Sequence, residues 1–124
     1  MDPYTVAVCQ MDSQNNKEEN LAFAEMMTKE AGKNGAALIA FPETMNYMGK
    51  GYKYQAETED GETISRLRSL ARDSGIWIMT GSIPMVHESG KPANTLSLIS
   101  PEGEVVCRYS KLHMFDVELE DGPA

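Results

Sequence analysis

The apolar residues of this chain fall into short runs that are separated by two longer helical patterns. Thr5–Gln10, Leu38–Phe41 and Ile76–Thr80 are runs typical of buried strands. Between the first two, Lys17–Ala31 repeats apolar residues at spacings of three and four, which predicts an amphipathic helix. A second helix of the same kind is predicted to end near Ser74. This order predicts three parallel strands joined by two right-handed crossovers.

Candidate capping residues mark the ends of both predicted helices. Asn15 or Asn16 is expected to cap the first helix, and Asp60 or Thr63 the second, because short polar side chains accept hydrogen bonds from the first free amides. Gly75 is the predicted stop of the second helix. The long stretch between the second strand and the second helix is predicted to be irregular, and loops of that length are usually functional or mobile.

The pattern changes after the third predicted strand. Met85–Pro92 is polar and rich in turn-forming residues, so no regular element is predicted there. Asn94–Ile99 and Glu104–Tyr109 flank the tight turn Pro101–Gly103 and predict an antiparallel hairpin. The expected fold class is therefore α/β, with a mixed sheet and two helices.

Composition narrows the classes of partner. The 124 residues allow one domain. A net charge of −8 argues against binding nucleic acid or an anionic membrane, both of which require clustered Lys and Arg. No apolar run approaches the roughly 20 residues of a membrane span. The N-terminus Met1–Tyr4 lacks the basic and apolar regions of a secretory signal, so a cytoplasmic location is expected.

The cysteines and histidines give little indication of chemistry. Cys9 and Cys107 lie inside predicted strands and are expected to be buried and inert. Their spacing does not fit a zinc site. His87 is expected at the surface. For His113, which lies among apolar residues, a structural role is favoured over a catalytic one.

Two charged residues follow predicted strands and are candidates for catalysis. Glu43 comes directly after Phe41-Pro42, at the carboxyl end of a strand, where open α/β sheets bind ligands. It is a candidate general base, although a structural carboxylate is the common alternative. Lys111 follows the last strand and is a candidate for oxyanion stabilisation, the alternative being a solvated surface lysine.

Three segments carry a resemblance to a known family. Val6–Met11, Phe41-Pro42-Glu43 and Tyr109–Asp116 resemble the nitrilase superfamily, the carbon–nitrogen hydrolases, and the resemblance covers the whole chain. It implies a Glu-Lys-Cys triad in which Glu43 is the general base and Lys111 stabilises the tetrahedral intermediate. The cysteine of the family lies on a later strand-to-helix elbow that nothing in this chain matches. No metal or organic cofactor is implied.

The resemblance also implies a fold and a substrate class. Members of the family are roughly twice as long and fold as an α-β-β-α sandwich, so residues 1–124 are expected to be an N-terminal half whose C-terminal half is absent. Asn46-Tyr47-Met48 and Phe115–Leu119 are similar to the ω-amidase and deaminated-glutathione amidase branch, although Glu120-Asp121 departs from the Pro-Gly often found there. Those enzymes hydrolyse a terminal amide of a small dicarboxylate-like substrate. Tyr47 is a candidate substrate-binding residue.

Two functions from different classes remain open. The first is a piece of an amidase that acts on a small-molecule amide when a C-terminal half supplies the cysteine. The second is a truncated half-domain or interaction module without chemistry. Association with a C-terminal half or with further copies of the chain is expected in either case. A nucleotide binder is disfavoured because Met11–Gln14 is not a glycine-rich loop.

Overall fold

A computed structural model describes residues 4–51, 55–88 and 90–111. Within these ranges the helices are α1 (Lys17–Lys33) and α2 (Glu62–Ser74), and the strands are β1 (Thr5–Val8), β2 (Ala36–Ala40), β3 (Trp77–Met79), β4 (Ile83–Val86), β5 (Pro92–Ile99) and β6 (Val105–Lys111). The predicted parallel crossovers and the predicted hairpin are confirmed, since β1, β2 and β3 pair in parallel and β5 pairs antiparallel with β6.

The six strands described form one mixed sheet in which β5 has three neighbours. One edge of β5 pairs with β6 along nearly its whole length. The other edge pairs with β3 at its carboxyl end and with β4 at its amino end. Because both the β3–β5 and β5–β6 pairs are antiparallel, β6 runs in the same direction as β2 and β3. The carboxyl ends of β2 and β6 therefore lie at the same edge of the sheet.

Both helices cover the same face of the sheet, as two successive right-handed crossovers require. Leu21 from α1 and Leu67 from α2 pack into one core with Ile39, Ile78 and Ile99 from three strands. Each of these five side chains is at most 1% exposed. The helices and the face of the sheet that they cover therefore enclose a buried hydrophobic core.

The helix ends show two predictions confirmed and one corrected. The Asn16 side chain accepts a hydrogen bond from the Glu19 amide and caps α1. The residue before α2 is Gly61, which has no capping side chain, so neither Asp60 nor Thr63 is the cap. Gly75 ends α2 in the left-handed conformation, with φ of 68°, as predicted.

The opposite face of the sheet carries apolar side chains with little cover. Residues that pair directly across strands share a face. Val8 pairs with Ala40, Ala40 with Met79, Met79 with Leu98 and Leu98 with Cys107. In the described part of the chain Val8 is 83% exposed, and Tyr109, on the same face, is 71% exposed. We call this surface the open face.

Two predictions about the second half of the chain are wrong. Ile83–Val86 forms strand β4, although Met85 and Val86 were predicted to be irregular. The sequence signal is weak because the strand contains a proline and pairs only with the amino end of β5. Cys107 is exposed, although it was predicted to be buried. Its position inside a strand is as predicted, but it lies on the open face.

Candidate functional site

Glu43 lies on a turn that leaves the carboxyl end of β2. The Phe41 amide still donates to the Met79 carbonyl over 3.0 Å, so the chain remains attached to β3 one residue beyond the strand. Two residues past Pro42, the Thr44 amide donates to the Ser82 carbonyl over 2.8 Å. Glu43 itself is exposed. The turn therefore fixes the backbone on both sides of the carboxylate and leaves the side chain accessible.

Lys111 is placed at the same edge of the sheet by the hairpin. It pairs with Asn94 and points to the open face together with Tyr109. Asn94 in turn pairs with Pro84 of β4, two residues after Ser82, whose carbonyl accepts the hydrogen bond from the Glu43 turn. Within the described part of the chain no ion pair joins Glu43 and Lys111. The structure thus brings both residues to one edge of the sheet.

Tyr47 lies on the loop that follows Glu43. Its hydroxyl donates to the Lys50 carbonyl over 3.1 Å, and its ring is half-buried. This hydrogen bond joins the Tyr47 side chain to the backbone three residues further along the loop. A role in substrate binding stays a prediction.

A buried polar cluster behind the Glu43 loop was not predicted from the sequence. It consists of Lys17, Asn46, Glu57 and Thr63, and we call it the Glu57 cluster. Lys17 Nζ lies 2.8 Å from Glu57 Oε2, and the two side chains are 19% and 10% exposed. The Thr63 hydroxyl donates to the same oxygen over 2.6 Å, while its amide donates to Glu57 Oε1 over 2.8 Å. Glu57 therefore satisfies an amide in the first turn of α2, the function predicted for Asp60 or Thr63.

The Glu57 cluster connects the Glu43 loop to both helices. Asn46 is fully buried, and its amide nitrogen donates to Thr63 Oγ1 over 3.0 Å. The Asn46 carbonyl accepts a hydrogen bond from Asn20 of α1 over 2.9 Å. Asn20 and Asn46 are 26 residues apart in sequence. The sequence offered no periodic signal for this cluster, because its members come from two helix starts and an irregular loop.

The charge of Glu57 is stabilised by its partners. Burial alone would raise the pKa of the Glu57 carboxyl, but hydrogen bonds from Lys17 and Thr63 outweigh it and hold that pKa below its usual value. A carboxylate with these contacts stays ionised at neutral pH. Its position behind the loop assigns it to structure rather than to reaction with a ligand.

Neither described cysteine is placed as a nucleophile for Glu43 and Lys111. Cys9 is buried, which raises the pKa of its thiol, and its Sγ faces the Gln10 carbonyl. Cys107 lies on the open face but four residues before Lys111, about 13 Å along an extended strand. Among the described residues no group of His, Cys, Asp and Glu side chains is arranged to hold a metal ion.

An open cleft of about 740 Å³ lies beside the connection between β1 and α1. Its described lining includes Met11, Asp12, Asn20 and Phe23, and it does not include Glu43 or Lys111. In the residues described here, no helix is long and apolar enough to cross a membrane.

The motif residues His113, Phe115 and Asp116, and the run to Leu119, lie outside the described residues.

Comparison with known sequences decides the family. Residues 5–124 match the sequence profile described as carbon-nitrogen hydrolase. The chain belongs to this family. It is 36% identical over 126 residues to the deaminated glutathione amidase of a Synechocystis species, covering 98% of this chain and 46% of that protein. It is 38% identical over 105 residues to omega-amidase NIT2 of Xenopus tropicalis, covering 83% and 38%. The resemblance to the nitrilase superfamily is confirmed.

Solved structures of nitrilase-fold proteins match the fold. The Caenorhabditis elegans NitFhit protein aligns with a TM-score of 0.79 at 30% identity, over 97% of this chain and 31% of that one. A variant of the amidase from Nesterenkonia sp., with the acetamide moiety of fluoroacetamide covalently added at its active-site cysteine, aligns with a TM-score of 0.77 at 25% identity over 90% and 44%. The chain spans less than half the length of each relative.

Proposed function

We propose that this chain supplies the general base and the oxyanion-stabilising lysine of a Glu-Lys-Cys amide hydrolase. The observation that carries the proposal is the placement of Glu43 and Lys111 at one edge of the sheet, Glu43 three residues after β2 and Lys111 as the last residue of β6, in a chain that matches the carbon–nitrogen hydrolase family. Residues 1–124 are the N-terminal half of the catalytic domain, and a C-terminal half supplies the cysteine. The cysteine adduct in the amidase from Nesterenkonia sp. supports thiol chemistry.

The reaction divides into two steps. Glu43 accepts the proton of the cysteine thiol, and the thiolate attacks the amide carbonyl. Lys111 and a backbone amide stabilise the negative charge on the carbonyl oxygen. The carbon–nitrogen bond breaks as Glu43 returns its proton to the nitrogen. Ammonia departs, and the acyl group remains bound to the cysteine as a thioester. Glu43 then takes a proton from water, and the resulting hydroxide attacks the thioester carbonyl. The carbon–sulfur bond breaks to give the carboxylic acid, and Glu43 returns the proton to the departing thiolate.

The open face supports the proposed place of the C-terminal half. Lys111 and Tyr109 lie on this face, and so do Val6 and Val8 of β1. Monomeric proteins rarely expose large contiguous apolar patches. A second sheet seated here would cover the apolar side chains and bring its cysteine to the edge between Glu43 and Lys111. Further copies of the chain are the other proposed partners of this face.

The proposed substrate is a small molecule with a terminal amide, and an ω-amide of a dicarboxylic acid fits best. The support is the similarity to proteins named as an omega-amidase and as a deaminated glutathione amidase. Tyr47, on the loop after Glu43, is the proposed contact for the part of the substrate away from the amide. A cytoplasmic location belongs to the same proposal, and it is supported by the free thiols of Cys9 and Cys107.

Complementation with a C-terminal half tests the proposal. The 124-residue chain is co-expressed with the C-terminal part of the Xenopus tropicalis omega-amidase, and the purified complex is assayed for ammonia release from a terminal amide. Glu43→Gln and Lys111→Met are each expected to lower kcat by at least about 10³-fold. Glu102→Gln and Lys29→Met, exposed and distant from the edge, are the matched controls.

A non-catalytic half-domain is the second candidate function. The uncovered open face and the lack of a placed nucleophile in the described chain favour it. A complex that forms stably and contains the cysteine, yet releases no ammonia from any terminal amide, would contradict hydrolysis and support the second candidate. Ammonia release that depends on Glu43 would exclude it.

A further inference from the structure

The connection between β3 and β4 passes unusually close to the turn that carries Glu43. Gly81 is buried in this connection. A Cβ atom at Gly81 would lie 1.7 Å from the Pro42 carbonyl oxygen and 2.5 Å from the Glu43 amide nitrogen. These distances are far below any tolerated contact and involve backbone atoms that cannot rotate away. Only glycine allows the two segments to approach this closely.

The residue after Glu43 is held in a conformation that its side chain disfavours. Thr44 has φ of 56°, the one non-glycine residue with positive φ among those described. For a β-branched residue this is a genuine outlier. The conformation is kept by the amide bond to Ser82, and the Thr44 hydroxyl donates to the Glu43 carbonyl over 2.6 Å. Strain of this kind persists only where the surroundings impose it, and it is concentrated at functional sites.

Residues on the far side of the turn are anchored as well. Met45 and Asn46 are fully buried directly after Thr44. On the near side, Phe41 is buried and bonded to β3. Glu43 is thus the exposed residue within a backbone that is fixed before and after it. A strained turn with these anchors sets the position of one carboxylate.

We propose that Gly81 and Thr44 are positioning residues that set the location of the Glu43 carboxylate. The inference rests on the proposed role of Glu43 as general base. Gly81 lets the β3–β4 connection press against the turn, and Thr44 carries the strain that this contact imposes. A displacement of the base by about 1 Å is enough to lower a rate by about 10²-fold. The turn therefore acts on the reaction through Glu43 without touching the substrate.

The first test measures the position of Glu43 without any activity. The chain is labelled with carbon-13 at the glutamate carboxyls, and Glu43→Gln identifies the Glu43 resonance. Gly81→Ala is expected to shift this resonance. Gly75→Ala is the matched control, because Gly75 has φ of 68° and open space around its Cβ position. The Gly75→Ala substitution imposes strain at the end of α2 and is expected to leave the Glu43 resonance unshifted.

The second test separates positioning from stability. Thr44→Gly removes the disfavoured conformation, so the urea midpoint should not fall. The freed turn should broaden or shift the Glu43 resonance and, in the complemented hydrolase, lower kcat about tenfold with KM little changed. If Gly81→Ala does not fold, Thr44→Gly alone tests whether the turn positions the Glu43 carboxylate. A Glu43 resonance that Thr44→Gly leaves unmoved, or an unchanged kcat, would overturn the inference. An inactive wild-type complex would refute the proposed function alone, because the resonances are measured independently.

Discussion

The two faces of the sheet differ in how completely the chain covers them. On one face α1 and α2 enclose a core in which Ile39, Ile78 and Ile99 are at most 1% exposed. On the other face Val8 and Tyr109 remain largely exposed. The strands are the same, so the difference comes from what packs against them. The layer on the first face comes from this chain itself, whereas the described residues leave the second face largely uncovered.

The candidate chemistry follows the same division. The Glu57 cluster lies with the helices and has nearly all of its hydrogen bonds made within the chain. Lys111 lies on the open face, and Glu43 is exposed at the edge. The side of the sheet that the helices cover therefore holds the Glu43 loop in place. The open face and its edge carry the groups proposed to react.

The largest effect on stability is expected in the covered core. Ile78→Ala should lower the free energy of unfolding by about 2–5 kcal/mol, because it removes a fully buried side chain and leaves a cavity. Val8→Ala, on the open face, should change it by less than about 0.5 kcal/mol. Urea unfolding of the 124-residue chain measures both. Equal losses would mean that the open face is packed in the isolated chain.

A smaller loss is expected from the polar part of the covered side. Glu57→Ala should cost about 2–3 kcal/mol, since Lys17 and Thr63 lose their shared partner while largely buried. Glu59→Ala is the matched control, because Glu59 pairs with Arg108 near the surface and such pairs contribute at most about 1 kcal/mol. Urea unfolding at pH 7 compares the two. A Glu57 variant as stable as the control would contradict the anchoring role of the cluster.

The pH dependence of stability should identify the Glu57 carboxylate. Its pKa is lower in the folded chain than in the unfolded one, so the folded state binds fewer protons. The stabilisation is present above the unfolded value of about 4.3 and is lost as pH falls through the folded pKa. Urea midpoints of wild type and Glu57→Gln from pH 7 to pH 3 should converge at the acid end. A constant difference across this range would show that Glu57 is not the titrating group.

The reaction rates of the two cysteine thiols should distinguish the covered face of the sheet from the open face, without a measurement of stability. Cys107 is exposed on the open face and should react with a thiol reagent as quickly as a free cysteine. Cys9 is buried and should react at least roughly 10³-fold more slowly, through unfolding. Adding the C-terminal half should protect Cys107. A Cys107 thiol that stays fully reactive in an active complex would show that the second layer is seated elsewhere.

Much of the architecture was predictable because burial follows the period of each element. The run Leu38–Phe41 and the repeat in Lys17–Ala31 show which residues face the core. Strand β4 was missed because Pro84 lies inside a run of four residues that pairs with only part of β5. Exposure of Cys107 was not predictable either, since a strand does not reveal which of its faces has a covering layer.

The sequence by itself determined the order of the elements apart from β4, the positions of Glu43 and Lys111 at strand ends, and the family. These properties depend on residues that are neighbours along the chain or are repeated within a motif. Only the tertiary structure decided which face stays open, that Glu57 joins Lys17 and Asn46, and that Gly81 presses on Pro42. The physical reason is that these contacts join residues far apart in sequence, and their geometry exists only once the crossovers have brought the strands together.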